Sequence, residues 1–308
     1  MQYQSHRFCV APMMDWTDRH CRSFHRLLTR NALLYTEMLT APAIIHGDRE
    51  RLLACDAREH PVALQLGGSD PMALAAAADI GASFGYDEIN LNVGCPSDRV
   101  QEGRFGACLM AEPGLVAACV SAMRARVEIP VTVKCRIGID DQDAEGDLQK
   151  FIETVAAAGC ITFIVHARKA WLSGLSPKQN REVPPLDYAR VYRLKASRPD
   201  LTIVLNGGIA GLDDAEQNLA YVDGVMLGRA SWNNPWLLND LQNELIGKGI
   251  NNSRDKVLQQ YINYCQTQLK NNVKLHWLLP PVLNLYHGIA GNKKWKSHLV
   301  TQAPKREK

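Results

Sequence analysis

Eight short apolar runs, at residues 8–13, 33–39, 62–66, 88–93, 131–137, 162–167, 202–205 and 224–227, recur along the chain with helix-compatible segments between them. That alternation constrains the fold more than any other feature. The intervening stretches 71–83, 113–127, 147–158, 187–197 and 212–219 carry Ala and Leu at helical spacing, and several open on Asp or Pro as helix starts do. Runs that are continuously apolar belong to a parallel sheet covered on both faces, and eight of them close naturally into a (β/α)8 TIM barrel. An open doubly wound sheet is the competitor. The polar side chains favour the barrel: Gln65, Asn90, Asn92, Lys134, Arg136, His166, Arg168, Asn206 and Arg229 fall at or near strand C-terminal ends. Barrel enzymes build their sites at that end.

The rhythm stops after Pro235. The remainder reads as helices, at 236–245 and 254–269, followed by an apolar stretch broken at Pro280-Pro281, with Asn233-Asn234-Pro235 and Gly247-Lys248-Gly249 punctuating the junction. The expected organisation is a barrel over residues 1–240 and an all-helical domain over 241–308, which suits a chain of 308 residues when barrels take about 250. The two parts differ in charge. Residues 1–240 hold 24 Lys+Arg against 29 Asp+Glu, a charge of −5, and residues 241–308 hold 11 against 3, a charge of +8, so the overall +3 conceals a basic tail. Segregated charge of this kind suggests a polyanionic partner such as nucleic acid or a membrane surface, and a solvated helical face is its plain counterpart.

Residues 1–7 lead directly into an apolar strand without the tripartite pattern of a secretory signal, and no apolar run approaches the roughly 18 residues that span a bilayer. Nine cysteines without a CxxC pair fit a reducing compartment better than a disulfide framework or a zinc site. The expectation is a cytoplasmic, monomeric protein with no metal and no membrane partner.

Strand seven ends in Asn206-Gly207-Gly208 and strand eight in Gly228-Arg229. Glycines there let backbone N–H groups approach a phosphate, and the loops after strands seven and eight are the usual phosphate site of a barrel. Lys134 sits within strand five, where a lysine is costly unless paired or functional. Two chemistries use such a residue: a Schiff-base nucleophile, or a cation set against negative charge at the N1/C2=O edge of a flavin. The Gln65 amide carries a donor and an acceptor that match the alternating edge of a flavin pyrimidine ring. His166 and Arg168 are placed to contact phosphate or substrate. Asn90-Leu91-Asn92-Val93-Gly94-Cys95-Pro96, followed by Gly103-Arg104-Phe105-Gly106-Ala107-Cys108, brings a cysteine onto a loop stiffened by Pro and freed by Gly. A thiol with an ordinary pKa of about 8.5 is mostly protonated at neutral pH, so it can give a proton as well as attack. Cys119, Cys135 and Cys160 read instead as small core residues.

With these motifs the chain resembles the tRNA-dihydrouridine synthases. Ala11-Pro12-Met13, Gln65, Asn90-x-Asn92-x-Gly94-Cys95-Pro96, Lys134, His166-x-Arg168, Asn206-Gly207-Gly208 and Gly228-Arg229 follow the family's order across residues 8–230. Asp15-Trp16-Thr17-Asp18-Arg19 and the stretch from His166 to Lys178 resemble its A subfamily, which reduces D-loop uridines 20 and 20a of tRNA. The resemblance implies FMN bound by Pro12, Met13, Met14, Gln65, Lys134, His166, Asn206, Gly207, Gly208, Gly228 and Arg229, with NADPH as reductant. It also implies hydride transfer from reduced flavin to uracil C6, protonation of C5 by Cys95, and Asn92 on the uracil edge. Arg168, Lys178 and Arg181 would contact tRNA. In the tail, Lys293, Lys294, Lys296 and Ser297 would face the tRNA, although the family's usual Arg-His pair is here Pro280-Pro281 and its Arg-Arg pair Lys296-Ser297. Two further readings stay beside this one: a phosphate-binding lyase with Lys134 as nucleophile, and a tRNA binder without catalysis.

Overall fold

The computed structural model describes residues 6–142, 145–247 and 252–302. Residues 248–251 and 303–308 of the predicted tail, including Lys248 and Gly249 of the junction motif, lie outside them. Eight parallel strands form a closed ring: β1 (Phe8–Val10), β2 (Leu33–Tyr35), β3 (Val62–Gly67), β4 (Glu88–Val93), β5 (Val131–Arg136), β6 (Thr162–His166), β7 (Thr202–Asn206) and β8 (Gly224–Leu227). Closure comes from β1 pairing with β8 on one side and with β2 on the other, while β2 pairs with β3. The fold is a TIM barrel, and its helices α1 (Arg19–Leu28), α2 (Pro71–Ser83), α3 (Pro113–Arg124), α4 (Glu145–Ala157), α5 (Tyr188–Ser197) and α6 (Leu212–Leu219) lie in the crossovers. Asp18, Asp70 and Asp187 cap α1, α2 and α5 by accepting backbone N–H bonds, each worth about 1 kcal/mol.

Two predicted strands change shape for a local reason. The run 8–13 keeps only three residues in strand, because Pro12 has no N–H to give a ladder. The run 33–39 breaks after Tyr35 and resumes at Leu39–Thr40: Tyr35 faces Ala63 and Leu39 faces Leu66, so one extra residue is accommodated. This is a bulge, and Thr36 stabilises it by accepting the Gln65 N–H on its hydroxyl at 3.0 Å. The bulge turns Met38 toward the barrel mouth.

β4 also departs from the expected continuous apolar run. Ile89, Leu91 and Val93 join the core beneath the helices, whereas Glu88, Asn90 and Asn92 alternate with them and are buried inside the barrel. Asn90 therefore lies in mid-strand and not at a strand end. Elsewhere the interior is filled by Cys9, Leu33, Tyr35, Ala63, Ile164, Val204 and Met226.

Beyond the barrel the chain is helical, with α7 (Leu237–Ile246), α8 (Arg254–Lys270) and α9 (Asn292–Gln302). The predicted junction at residue 240 falls inside α7. There the buried Gln242 accepts from the Thr29 hydroxyl at 2.9 Å and from the Arg30 and Asn31 N–H groups at 3.0 Å, tying α7 to the end of α1. α8 lies along α1, with Tyr261 edge-on to Phe24 at 4.9 Å and the Tyr264 hydroxyl 2.7 Å from His20 Nδ1. Pro280-Pro281 opens a short turn in which Pro281 and Val282 are buried. No helix among the described residues is long and apolar enough to cross a membrane.

Candidate active site

The C-terminal ends of the strands open into a cavity of about 870 Å³, within the range of about 300–1,000 Å³ usual for ligand sites. Its wall contains every residue that the sequence suggested for the cofactor: Pro12, Met13, Met14, Gln65, Lys134, His166, Asn206, Gly207, Gly208, Gly228 and Arg229. Asn92, Cys95, Arg168 and Arg181 line the same space. Lys178 is exposed on the loop after β6 and does not line the cavity, nor do Lys293, Lys294, Lys296 and Ser297, which α9 carries.

On the floor, Lys134 Nζ donates to Asn206 Oδ1 at 3.0 Å, and Asn206 Nδ2 donates to the Met226 carbonyl at 2.8 Å, which fixes the Asn206 amide. Burial, and after it the neighbouring Arg136 guanidinium, pull the Lys134 pKa down to about 8. Arg136 is itself pushed down to about 10 by burial. The same burial, with Arg136 and Lys134 adding to it, holds His166 well below the usual histidine range, so its ring is neutral. Five cationic side chains, Lys134, Arg136, Arg168, Arg181 and Arg229, line the cavity, and among the described residues no aspartate or glutamate does. Residues 1–240 are acidic by count, yet the mouth of the cavity is basic. Arg229 meets Glu182 on the rim, but Lys134, Arg136, Arg168 and Arg181, held close and partly desolvated, are unfavourable until an anion joins them, so the cavity suits a negatively charged ligand.

Gly207 and Gly208 follow β7 with φ of +106° and +76°, a region that side-chain-bearing residues rarely adopt. A Cβ at 207 would stand 2.6 Å from the His166 ring, and one at 208 would collide with the Tyr188 hydroxyl and Leu186. The turn thus needs both glycines, and it leaves their backbone open to the cavity. Across the rim, Arg229 opens a short helix Arg229–Asn233 after Gly228 and pairs with Glu182 at 2.5 Å. Glu182 had no signal in the sequence, since the loop after β6 joins it to Arg229 only in space.

Cys95 is half-buried at the end of β4. Its N–H and that of Gly94 donate to Asn92 Oδ1 at 3.0 and 3.1 Å, its carbonyl accepts from Ala107 N–H at 2.9 Å, and its sulfur lies 3.5 Å from Ser97 Oγ. Gly106, at φ of +77°, permits that approach, because a Cβ there would lie 2.5 Å from the Cys95 carbonyl. Arg136 anchors the loop from below through the Gly94 carbonyl at 2.9 Å and reaches the Lys169 and Asn180 carbonyls at the same distance. Among the described residues no cluster of His, Cys, Asp or Glu could hold a metal ion.

The wall has members that single-sequence reasoning missed. Trp16, stacked on Trp232 at 4.9 Å, lines it together with Asn233, Asn234 and His287. His287 comes from the helical tail, which is fastened nearby by Asn284 donating to the Trp232 carbonyl at 2.8 Å. Only tertiary packing brings it to the mouth.

The whole of this geometry falls within residues 9–308, which match the family described as dihydrouridine synthase. The chain is 57% identical over 293 residues to the tRNA-dihydrouridine(20/20a) synthase of Xanthomonas campestris, covering 95% of this chain and 87% of that protein. It is 54% identical over 301 residues to the protein of the same name from Vibrio cholerae, covering 97% and 92%, and 55% identical over 305 residues to that of Escherichia coli, covering 98% and 92%.

Proposed function

The chain belongs to the dihydrouridine synthase family of oxidoreductases, and on that premise we propose that it reduces uridines 20 and 20a of tRNA to dihydrouridine in the cytoplasm, using FMN and NADPH. The observation that carries the cofactor is the cavity's chemistry: five cations with no carboxylate among the described lining residues, facing a turn whose conformation neither Gly207 nor Gly208 could keep with a Cβ. FMN fits that donor set. Gly207, Gly208, Gly228 and Arg229 would hold its phosphate, Lys134 and Gln65 its pyrimidine edge, and Pro12, Met13, Met14, His166 and Asn206 its remaining sides. When bound and reduced by NADPH, it supplies the hydride that saturates uracil C6.

The residues of the chain do the rest. Asn92 would hold the uracil edge while Cys95 Sγ gives its proton to C5, so that one hydride and one proton together reduce the double bond. Lys134, Arg136 and Arg181 line the same cavity as Cys95 and would balance the charge that the sulfur acquires in that step. A base can reach Cys95 only by leaving its stack, which costs a few kcal/mol. Arg168, Lys178 and Arg181 near the mouth, and Lys293, Lys294, Lys296 and Ser297 on α9, would grip the RNA backbone to offset that cost. Lys134 then serves as a cation, and the lyase reading has no support from the family.

Purified protein is expected to carry flavin absorbance, and tRNA from cells lacking it to lose dihydrouridine at 20 and 20a until the wild-type gene is restored. Colourless protein, or unchanged modification at those positions, would sink the proposal.

The low pKa of Lys134 sets a pH dependence for FMN. In the free cavity the ammonium is present below about 8 and lost above it, whereas an anionic ligand keeps the proton on to higher pH. Affinity is therefore expected to be flat below about pH 8 and to fall as pH rises through it, by at most about tenfold per pH unit. Flavin-fluorescence titrations across this range test it. In Lys134→Met the affinity should be weaker and the profile flat through the same range.

A further inference from the structure

A continuous chain of buried hydrogen bonds runs up the inside of the barrel from Glu88, at the bottom of β4, to the backbone of Cys95. Glu88 accepts from the Thr132 hydroxyl at 2.6 Å and the Tyr35 hydroxyl at 2.8 Å, and pairs with His6 Nε2 at 2.7 Å. Asn90 Nδ2 donates to Thr132 Oγ1 at 2.8 Å, Gln65 Nε2 to Asn90 Oδ1 at 2.7 Å, and Asn92 Nδ2 to Gln65 Oε1 at 2.8 Å. Asn92 Oδ1 closes the chain on the Gly94 and Cys95 N–H groups. The period of two along β4 makes this possible. Glu88, Asn90 and Asn92 share the inner face over about 13 Å of strand.

The direction of every bond is fixed from both ends. The upper end offers two backbone N–H groups that can only donate, so Asn92 must turn its carbonyl to them and its amino group to Gln65. The lower end is a carboxylate that can only accept from a hydroxyl, so Thr132 must give its proton downward and accept from Asn90. No amide between them can rotate alone without setting donor against donor or acceptor against acceptor. What remains for the cavity is one N–H of Asn92 and, on Gln65, one N–H and one lone pair.

Resting on the reading of Cys95 as proton donor and Gln65 as a cofactor contact, we propose that Glu88, Thr132 and Asn90 are positioning residues that hold the Gln65 and Asn92 amides, and through Asn92 the Cys95 loop, in the orientation the reaction uses. None of the three lines the cavity. They act from within the barrel through the amides above them.

The test removes the hydroxyl in the middle of the chain at nearly constant volume. In the purified flavoprotein, Thr132→Val is expected to speed iodoacetamide modification of Cys95, followed by mass spectrometry of its peptide, by about tenfold, the effect of one buried hydrogen bond lost. Turnover per bound flavin should fall by a similar factor with KM for tRNA unchanged, because the RNA is gripped outside the barrel interior. Thr132→Ser, which restores the hydroxyl, should return both to wild type. A purely structural threonine would lower the melting temperature and leave Cys95 reactivity alone. A folded valine variant that is modified at the wild-type rate overturns the proposal, as does a serine variant that fails to restore it; if valine prevents folding, Thr132→Ala gives the same decision. Cys95 modification needs neither flavin nor tRNA, so it still decides the matter if the cofactor reading fails.

Discussion

Cys95→Ala is expected to lower dihydrouridine formation by about 10³-fold, near the middle of the range for removal of a general acid, while flavin reduction by NADPH and tRNA binding stay at wild-type levels. The split follows from the proposed chemistry, in which the thiol is needed only when carbon C5 takes its proton. None of the other eight cysteines lines the cavity. Burial pushes the thiols of Cys135 and Cys160 up to about 12 and that of Cys119 up to about 11, while Cys9 and Cys21 lie fully buried with thiols well above the usual range. Cys108 is on the same loop, but its sulfur points at the Phe105 carbonyl at 3.1 Å. Stopped-flow measurement of the two half-reactions separates the outcomes. Turnover within about threefold of wild type in the alanine variant would transfer the proton donation to water or to another group.

The barrel was legible because its period is local. An apolar run and a helix-compatible segment each announce themselves within a dozen residues, and Gly207-Gly208 and Gly228-Arg229 could be read as neighbours once eight runs implied closure. The inside of β4 was less legible for the opposite reason. Glu88, Asn90 and Asn92 alternate with Ile89, Leu91 and Val93, which reads equally well as a half-exposed strand until Gln65 and Thr132 from the flanking strands are seen to pair with Asn90. The basic mouth was hidden too, because net charge over 240 residues averages away a cavity lined by five cations. His287 and Glu182 reach the site through packing between distant segments, and no spacing along the chain could have placed them there.

The basic tail gives the second large effect. Removing residues 241–308 would be a poor probe, because Gln242 is bonded into the end of α1 and Tyr261 packs on Phe24, so truncation would open the core. Changing charge alone avoids this. Lys293 and Lys294 are exposed on α9 and Lys296 is half-buried beside Trp295, which packs against Tyr286 at 5.2 Å. The triple variant Lys293→Gln, Lys294→Gln, Lys296→Gln is expected to weaken tRNA binding by about 10²-fold at low salt and to reduce the slope of log affinity against log salt by about 2, since each phosphate contact releases condensed counterion. Flavin content and its reduction by NADPH should not change, because α9 contributes nothing to the cavity wall. An unaltered salt slope would make these lysines an ordinary solvated face and move RNA recognition to Arg168, Lys178 and Arg181. A steep loss would mean that the force holding a uridine out of its stack is applied from α9, outside the cavity in which it is reduced.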